Sequence, residues 1–211
     1  ESDEDIYFAY KALCLHVKKE DPVCESIEVA YAYDGKRYTP YVYPLCASLL
    51  KPFGLKLAMS SDAPVPAKPG VALKDVLDDT LKKELLYSDR TTFLPALSKL
   101  TPLRHEIGLR TIFNTIEKLP CVYGSKYALI GYFHGPYARK YAAMLKGHYD
   151  RIVVVKGSEG SPEVFKKGTL HIIDGDVTTE CAVHPEMVGL GLDAYEDVLT
   201  AHDMQRLLKE P

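Results

Sequence analysis

The 211-residue sequence has no tryptophan, few cysteines and no long apolar run. The densest apolar stretch, Tyr127-Ala-Leu-Ile-Gly-Tyr-Phe133, is strand-sized and far short of the ~18 residues of a spanning helix, so no membrane insertion is expected. Its five cysteines (14, 24, 46, 121 and 181) are scattered, odd in number and without a CxxC pair. That pattern argues against a disulfide framework and a zinc ribbon. It favours a reducing compartment, either the cytoplasm or an organelle matrix. No secretory signal pattern opens the chain, yet it begins at Glu1 and not Met, which reads as a processed product or a fragment, with import still open. Low-complexity segments and internal repeats are also lacking. With 46% apolar and 26% charged residues, the composition excludes disorder, collagen and a coiled coil.

The net charge of −3 conceals an asymmetry. Residues 1–50 carry 5 Lys/Arg against 9 Asp/Glu, residues 51–150 carry 15 against 9, and residues 151–211 carry 6 against 11. From Lys118 to Tyr149 there is no acidic residue. Lys118, Lys126, Arg139, Lys140 and Lys146 alternate there with six tyrosines, and His134 and His148 add two imidazoles. Two readings stay open: a local positive field that attracts phosphates, or a solvated basic face whose rings pack inward.

Ser2 and Asp5 make a capping-box start for a helix over 3–19, with an apolar stripe of Ile6, Ala9, Leu13 and Val17. Strand formers over 27–33 stop at the turn signal Asp34-Gly35. Thr39-Pro40 predicts a helix running to about Pro52, and 55–59 a short strand. The proline-rich stretch 60–70 is a connector or a binding loop. Helical patterns cover 71–86 and 91–118. Beyond them, strands are expected over 127–133, 151–155, 169–173 and 177–183, with helices over 136–146 and 195–209. This alternation predicts an α/β fold, a mixed, mostly parallel sheet flanked by helices. Three glycine-bearing loops follow strands, at 33–37, 134–136 and 157–163. Each could approach an anion with its backbone N–H groups, and each could be only a steric connector.

One segment is more specific. Pro102-Leu-Arg-His-Glu-Ile-Gly-Leu-Arg-Thr-Ile-Phe-Asn114 is similar to the signature of anthranilate phosphoribosyltransferases and their relatives in glycosyltransferase family 3. Phe93-Leu-Pro95, the Tyr127–Phe133 strand, Val153-Val-Val-Lys-Gly157 through Glu163, and His184-Pro185 with Gly189-Leu190 resemble other family segments. Asp34-Gly-Lys-Arg37 resembles the Y-D-G-K-R turn of a divergent branch, some of which is described as binding nucleic acid. The resemblance covers roughly residues 27–195. It implies a remnant N-terminal helical domain (1–22) and a phosphoribosyltransferase-like α/β domain (23–211) with a helical insertion at about 71–118. It also implies that Ile107, Leu109, Ile112, Phe113 and Ile116 mostly face the core so that Arg104 is positioned. A homodimer or a larger assembly is the expected state.

Active members of that family hold phosphoribosyl pyrophosphate on a glycine-rich turn and a cationic segment, with Mg²⁺ on paired carboxylates. Charge developing on the departing pyrophosphate needs such donors. Here the turn is Ala30-Tyr-Ala-Tyr-Asp-Gly35, the cationic segment is Met59-Ser-Ser-Asp-Ala63, and the carboxylate pair is reduced to Pro162-Glu163 with Glu159 close by. The expectation is therefore a divergent member with its standard motifs degraded. Asp34, Gly35, Lys36, Arg37, Ser60, Ser61 and Arg104 are its candidate substrate-binding residues. Glu159 and Glu163 are candidate metal ligands for Mg²⁺ should the chain be active, with no cofactor otherwise. His134, Arg139 and Lys140 are candidates for phosphate or nucleic acid. Three functions compete: a transferase of altered specificity, a non-catalytic nucleic-acid-binding protein, and a scaffold subunit. Lys36, Arg37, Arg139 and Lys140 are expected on one face at the strand ends, with Lys126 at the opposite end. As loop carboxylates, Glu159 and Glu163 are expected to be solvated.

Overall fold

The computed structural model describes residues 2–188 and 198–209. Among these, seven strands form one sheet in the order β3-β2-β1-β4-β5-β6-β7: β1 Ser26–Ala30, β2 Lys56–Ser61, β3 Leu86–Asp89, β4 Tyr127–Gly131, β5 Arg151–Lys156, β6 Gly168–Asp174 and β7 Val177–Val183. The first five pair in parallel. β6 and β7 are antiparallel additions, so the sheet is mixed and mostly parallel, as expected.

Side chains alternate across this sheet with the period of two that a strand imposes. On one face Ala30, Ala128 and Ile130 join a core with Ile6, Tyr10, Leu13, Val17, Tyr141 and Met144. On the other, Val29, Leu57 and Met59 join Tyr41, Leu73, Val76, Met204 and Leu208. Helix α1 (Asp3–His16) starts with the expected capping box between Ser2 and Asp5. Its apolar stripe lies in the sheet's own core, together with α9 (Tyr137–Leu145).

Three expectations need correction. Thr39-Pro40 does not open a helix. Helix α2 runs Tyr43–Leu50 with Pro44 in its first turn, because the Thr39 hydroxyl bonds to Glu159 instead of capping. Ser60 and Ser61 belong to β2 and not to the loop that follows. The span 71–118 contains β3 as well as six short helices: α3 Leu73–Val76, α4 Asp79–Glu84, α5 Arg90–Phe93, α6 Pro95–Lys99, α7 Thr101–Ile107 and α8 Phe113–Ile116. Helix α7 stops at Gly108, which is left-handed at φ 70°. Ile107 and Leu109 are consequently exposed, at 50% and 66%, while Ile112, Phe113 and Ile116 pack on the core. The last helix, α10, spans Ala201–Lys209. Positions 195–197 of the expected closing helix, and Gly189-Leu190, lie outside the described residues.

Strand order reverses between β1 and β4. From β1 the chain proceeds through β2 to β3; after returning at β4 it proceeds to β5 on the other side. Such a switch point opens a crevice beyond the carboxyl ends of its two strands, where open α/β sheets receive ligands.

Candidate functional site at the strand ends

The loops after β1, β2 and β5 meet at that end of the sheet. Gly35 sits at φ +75°, and a Cβ there would fall 2.6 Å from the Val71 carbonyl oxygen. Its lack of a side chain lets the two loops zip together. The Lys36 N–H donates to the Val71 carbonyl (3.0 Å), the Val71 N–H donates back (2.8 Å), and the Gly70 N–H donates to Asp34 (2.7 Å).

The 157–163 loop clamps this assembly from the other side. Glu159, at φ 56°, accepts from the N–H groups of Arg37 (2.8 Å), Tyr38 (3.1 Å) and Thr39 (2.9 Å) and from the Thr39 hydroxyl (2.6 Å). Glu163, 4% exposed, accepts from the Val42 N–H (3.1 Å), the Tyr31 hydroxyl and Lys36 Nζ (3.0 Å). Lys36 Nζ also donates to the Pro40 carbonyl at 2.6 Å and faces the Tyr41 and Phe165 rings. Burial lowers the Lys36 pKa, and Glu163 opposes that shift.

These contacts correct the expectation that Glu159 and Glu163 are solvated. Both carboxyl groups are occupied by donors of their own chain, so this arrangement does not fit Mg²⁺; a cation would have to displace those donors. Among the described residues, no group of three or more His, Cys, Asp or Glu side chains could hold a metal ion. The region expected to cradle phosphate is likewise closed: the space between Tyr31, Tyr33, Tyr41, Ser60, Ser61 and Asp62 is too narrow to admit a water molecule. Ser60 Oγ lies 2.8 Å from the Tyr33 hydroxyl, and Ser61 Oγ accepts from the Lys74 N–H at 3.1 Å.

Behind Tyr33 runs a buried chain of charges. Arg90 stacks on the Tyr33 ring at 4.6 Å and donates to Asp62 (2.8 Å), Thr101 (3.0 Å) and Glu117. Arg104, itself 4% exposed, forks onto Glu117 (2.8 and 3.0 Å) and reaches Asn114 at 2.9 Å. Burial raises the Glu117 pKa, against the pull of the two arginines. Arg104, expected to bind substrate, thus sits in a buried structural network. Asn114, at the end of the signature, ties that network to the loops through the Pro66 carbonyl (2.9 Å) and the Thr111 N–H (2.9 Å).

The open space lies at the switch point itself. A cleft of about 830 Å³ separates the loops after β1 and β4, and its walls include Asp34, Gly35, Arg37, His134 and Glu159. It also includes Lys68, Arg110 and Lys118, which residue-by-residue reading did not single out as site residues. Arg110 was visible as the arginine of the signature, and Lys118 as the first cation of the acid-free run. Arg110 pairs with Asp34, whose pKa burial raises while Arg110 and Lys118 pull it down. Phe133, Tyr38 and Tyr137 supply aromatic wall.

Of the four cations expected on one face, only Arg37 lines the cleft; Lys36 is buried against Glu163, and the other two lie elsewhere. Arg139 is exposed on α9, roughly 200° around the helix from Tyr137, at about 100° per residue. Lys140 approaches Asp3 of α1 (3.5 Å) and the Tyr137 ring. Lys126 pairs with Glu25 at the opposite strand end, as expected.

Comparison with known proteins agrees with this architecture. Residues 82–210 match the model of the glycosyl transferase family, a/b domain. An uncharacterized protein of Aquifex aeolicus is 31% identical over 170 residues, 77% of this chain and 53% of that protein. The anthranilate phosphoribosyltransferase of Rubrobacter xylanophilus is 32% identical over 124 residues, 56% of this chain and 36% of the enzyme. The chain therefore spans about half or less of these relatives. Among solved structures, anthranilate phosphoribosyltransferase from Thermus thermophilus superposes with a TM-score of 0.76 at 20% identity, covering 100% of this chain and 68% of that one. The Saccharomyces cerevisiae enzyme in complex with PRPP and Mg gives 0.70 at 17% identity, covering 99% and 63%. The chain belongs to the glycosyl transferase family and has the fold of an anthranilate phosphoribosyltransferase-like protein.

Proposed function

We propose that this protein binds a phosphate-bearing ligand in the cleft between β1 and β4 and that the phosphoribosyl transfer of its relatives is lost. The observation that carries this reading is the contrast at the strand ends. The place where the resemblance puts the pyrophosphate is filled by Tyr31, Tyr33 and Tyr41, and both carboxylates expected to hold Mg²⁺ are committed to their own chain. The neighbouring cleft is open and walled by Arg37, Lys68, Arg110 and Lys118, the donor set that phosphate oxygens require.

The test is calorimetric titration with phosphoribosyl pyrophosphate, with and without Mg²⁺, beside an assay of transfer to anthranilate. The expected result is binding that does not depend on Mg²⁺, weakened about tenfold by Arg110→Ala, for a loss of about 1.4 kcal/mol, with no turnover. Magnesium-dependent binding with transfer would replace this reading by an active enzyme of altered specificity.

A second reading, binding of single-stranded nucleic acid, draws on one observation. Phe133 and Tyr38 are exposed beside Arg37 and Lys68 on the same cleft wall, and stacking with backbone cations is what such binding uses. Oligonucleotide affinity that falls steeply with salt, and is competed by the phosphate ligand, would favour it.

A further inference from the structure

Lys118 is the most unusual side chain of the cleft. It is 4% exposed, and still forms part of the cleft wall. An occupant meets it only by entering the cleft. Its Nζ donates to the Gly131 carbonyl at 2.7 Å and lies 4.7 Å from the centre of the Tyr141 ring. Among the described residues it forms no ion pair; the acid that acts on it through space, Asp34, is paired with Arg110. A lysine removed from water without a carboxylate partner loses its preference for the charged form. Burial lowers its pKa to about 7, with Asp34 opposing and Arg110 adding to the shift. Around neutral pH a large share of this amine keeps its lone pair, as in lysines that attack carbonyl groups.

We propose that Lys118 forms a reversible imine with an aldehyde-bearing phosphate ester, such as an open-chain aldose phosphate, whose phosphate is held by Arg110, Lys68 and Arg37. The amine lone pair forms the N–C bond as the carbonyl π pair moves to oxygen. One amine proton passes to that oxygen through solvent, giving a carbinolamine. Loss of the oxygen as water, carrying the second amine proton, leaves C=N. No electron is gained or lost, and hydrolysis returns aldehyde and amine. The proposal rests on the reading that the cleft takes a phosphorylated ligand.

The whole chain is incubated at pH 7.5 with glyceraldehyde 3-phosphate and cyanoborohydride, and the labelled lysines are mapped by mass spectrometry. Binding of glycerol 3-phosphate, which has no carbonyl, is measured in parallel by calorimetry. The expected result is labelling of Lys118 about tenfold faster than of exposed lysines, which at this pH are almost wholly protonated. Glycerol 3-phosphate should protect Lys118, and Lys118→Met should abolish that label while leaving the others. Binding of glycerol 3-phosphate with no preference for Lys118 overturns the imine and leaves the cleft reading intact. Absence of both binding and labelling overturns both. Mapping on the unmodified sequence decides the matter even if Lys118→Met does not fold.

Discussion

Two neighbouring regions at the same end of the sheet are built in opposite ways. After β1 and β5 the loops are closed by Glu159 and Glu163, which accept seven hydrogen bonds between them from Tyr31, Lys36, Arg37, Tyr38, Thr39 and Val42. After β1 and β4 the loops stand apart around a cleft of about 830 Å³. The same fold position can thus hold charge for structure or present it to a ligand. Whether each charged group finds a partner within its own chain separates the two. Lys36 finds Glu163; among the described residues, Lys118 finds a carbonyl and a ring and no carboxylate.

The largest test of the closed region is Glu163→Gln. Removing one member of a buried ion pair leaves the other charge uncompensated, at a cost of about 3–5 kcal/mol, so chemical denaturation should show a loss near that size. A solvated loop glutamate, as expected from the sequence, would instead tolerate the change. A loss below about 1 kcal/mol, the scale of an exposed pair, would show that the loops do not depend on the clamp.

A second test uses two buried groups whose pKa values burial moves in opposite directions. Glu28, bonded to the Cys121 N–H (2.9 Å) and the Tyr149 hydroxyl, is pushed up by burial to about 7, and Lys118 is pushed down to about 7. For an acid with a raised folded pKa, stability is full below the ordinary value of 4.5 and is lost as pH rises to about 7. For a base with a lowered pKa, stability is full above 10.5 and is lost as pH falls to about 7. Glu28→Gln should therefore stabilise the protein by up to about 3 kcal/mol at pH 8, and by little at pH 4.5. Lys118→Met should stabilise it more at pH 6 than at pH 10. Denaturation across this range checks both signs; parallel trends would break the assignment.

The sequence made the period-two strands and the capping box of α1 legible because those signals are local. Strand β3 escaped because four residues, Leu86-Tyr-Ser-Asp89, carry too little periodicity between helical patterns. The helix start at Thr39 was misplaced because Thr39 has a partner 120 residues away in Glu159. The candidate site was legible as loops and less so as contacts. Asp34, Gly35, Arg37, His134 and Glu159 do share the cleft wall. The burial of Arg104, Ser60, Ser61 and Glu163 depends on elements distant in sequence. The importance of Lys118 is likewise invisible in a charge run, since nothing local says which cation the fold takes out of water.

The junction between the two regions is Gly131, at the end of β4. A Cβ at this position would lie 2.3 Å from both the Gly160 carbonyl oxygen and the Ser161 carbonyl carbon. Gly131→Ala must push the 157–163 loop away from β4, at a cost of about 1–3 kcal/mol for overpacking. Because Lys118 bonds the Gly131 carbonyl and Glu159 belongs to the moved loop, ligand binding in the cleft should weaken with stability. Unchanged binding would mean that the two regions are mechanically independent.

The smallest effects are expected on α9. Arg139 and Lys140 were expected to join Arg37 on one anion-binding face, but Lys140 is directed to Asp3 of α1 and Arg139 lies well around the helix from the cleft-lining Tyr137. A pair such as half-buried Lys140 with exposed Asp3, at 3.5 Å, contributes about 0.2–1 kcal/mol, so Lys140→Ala should move the denaturation midpoint little. In the cleft, by contrast, Arg37→Ala and Arg110→Ala each remove a wall cation. If single-stranded oligonucleotide binds there, each should flatten the dependence of log K on log salt by about 0.7. Arg139→Ala and Lys140→Ala should leave that slope unchanged, because neither side chain reaches the bound backbone. Equal flattening by all four variants would place the nucleic acid across α9 and the cleft together. The open region would then be only the edge of a larger basic face.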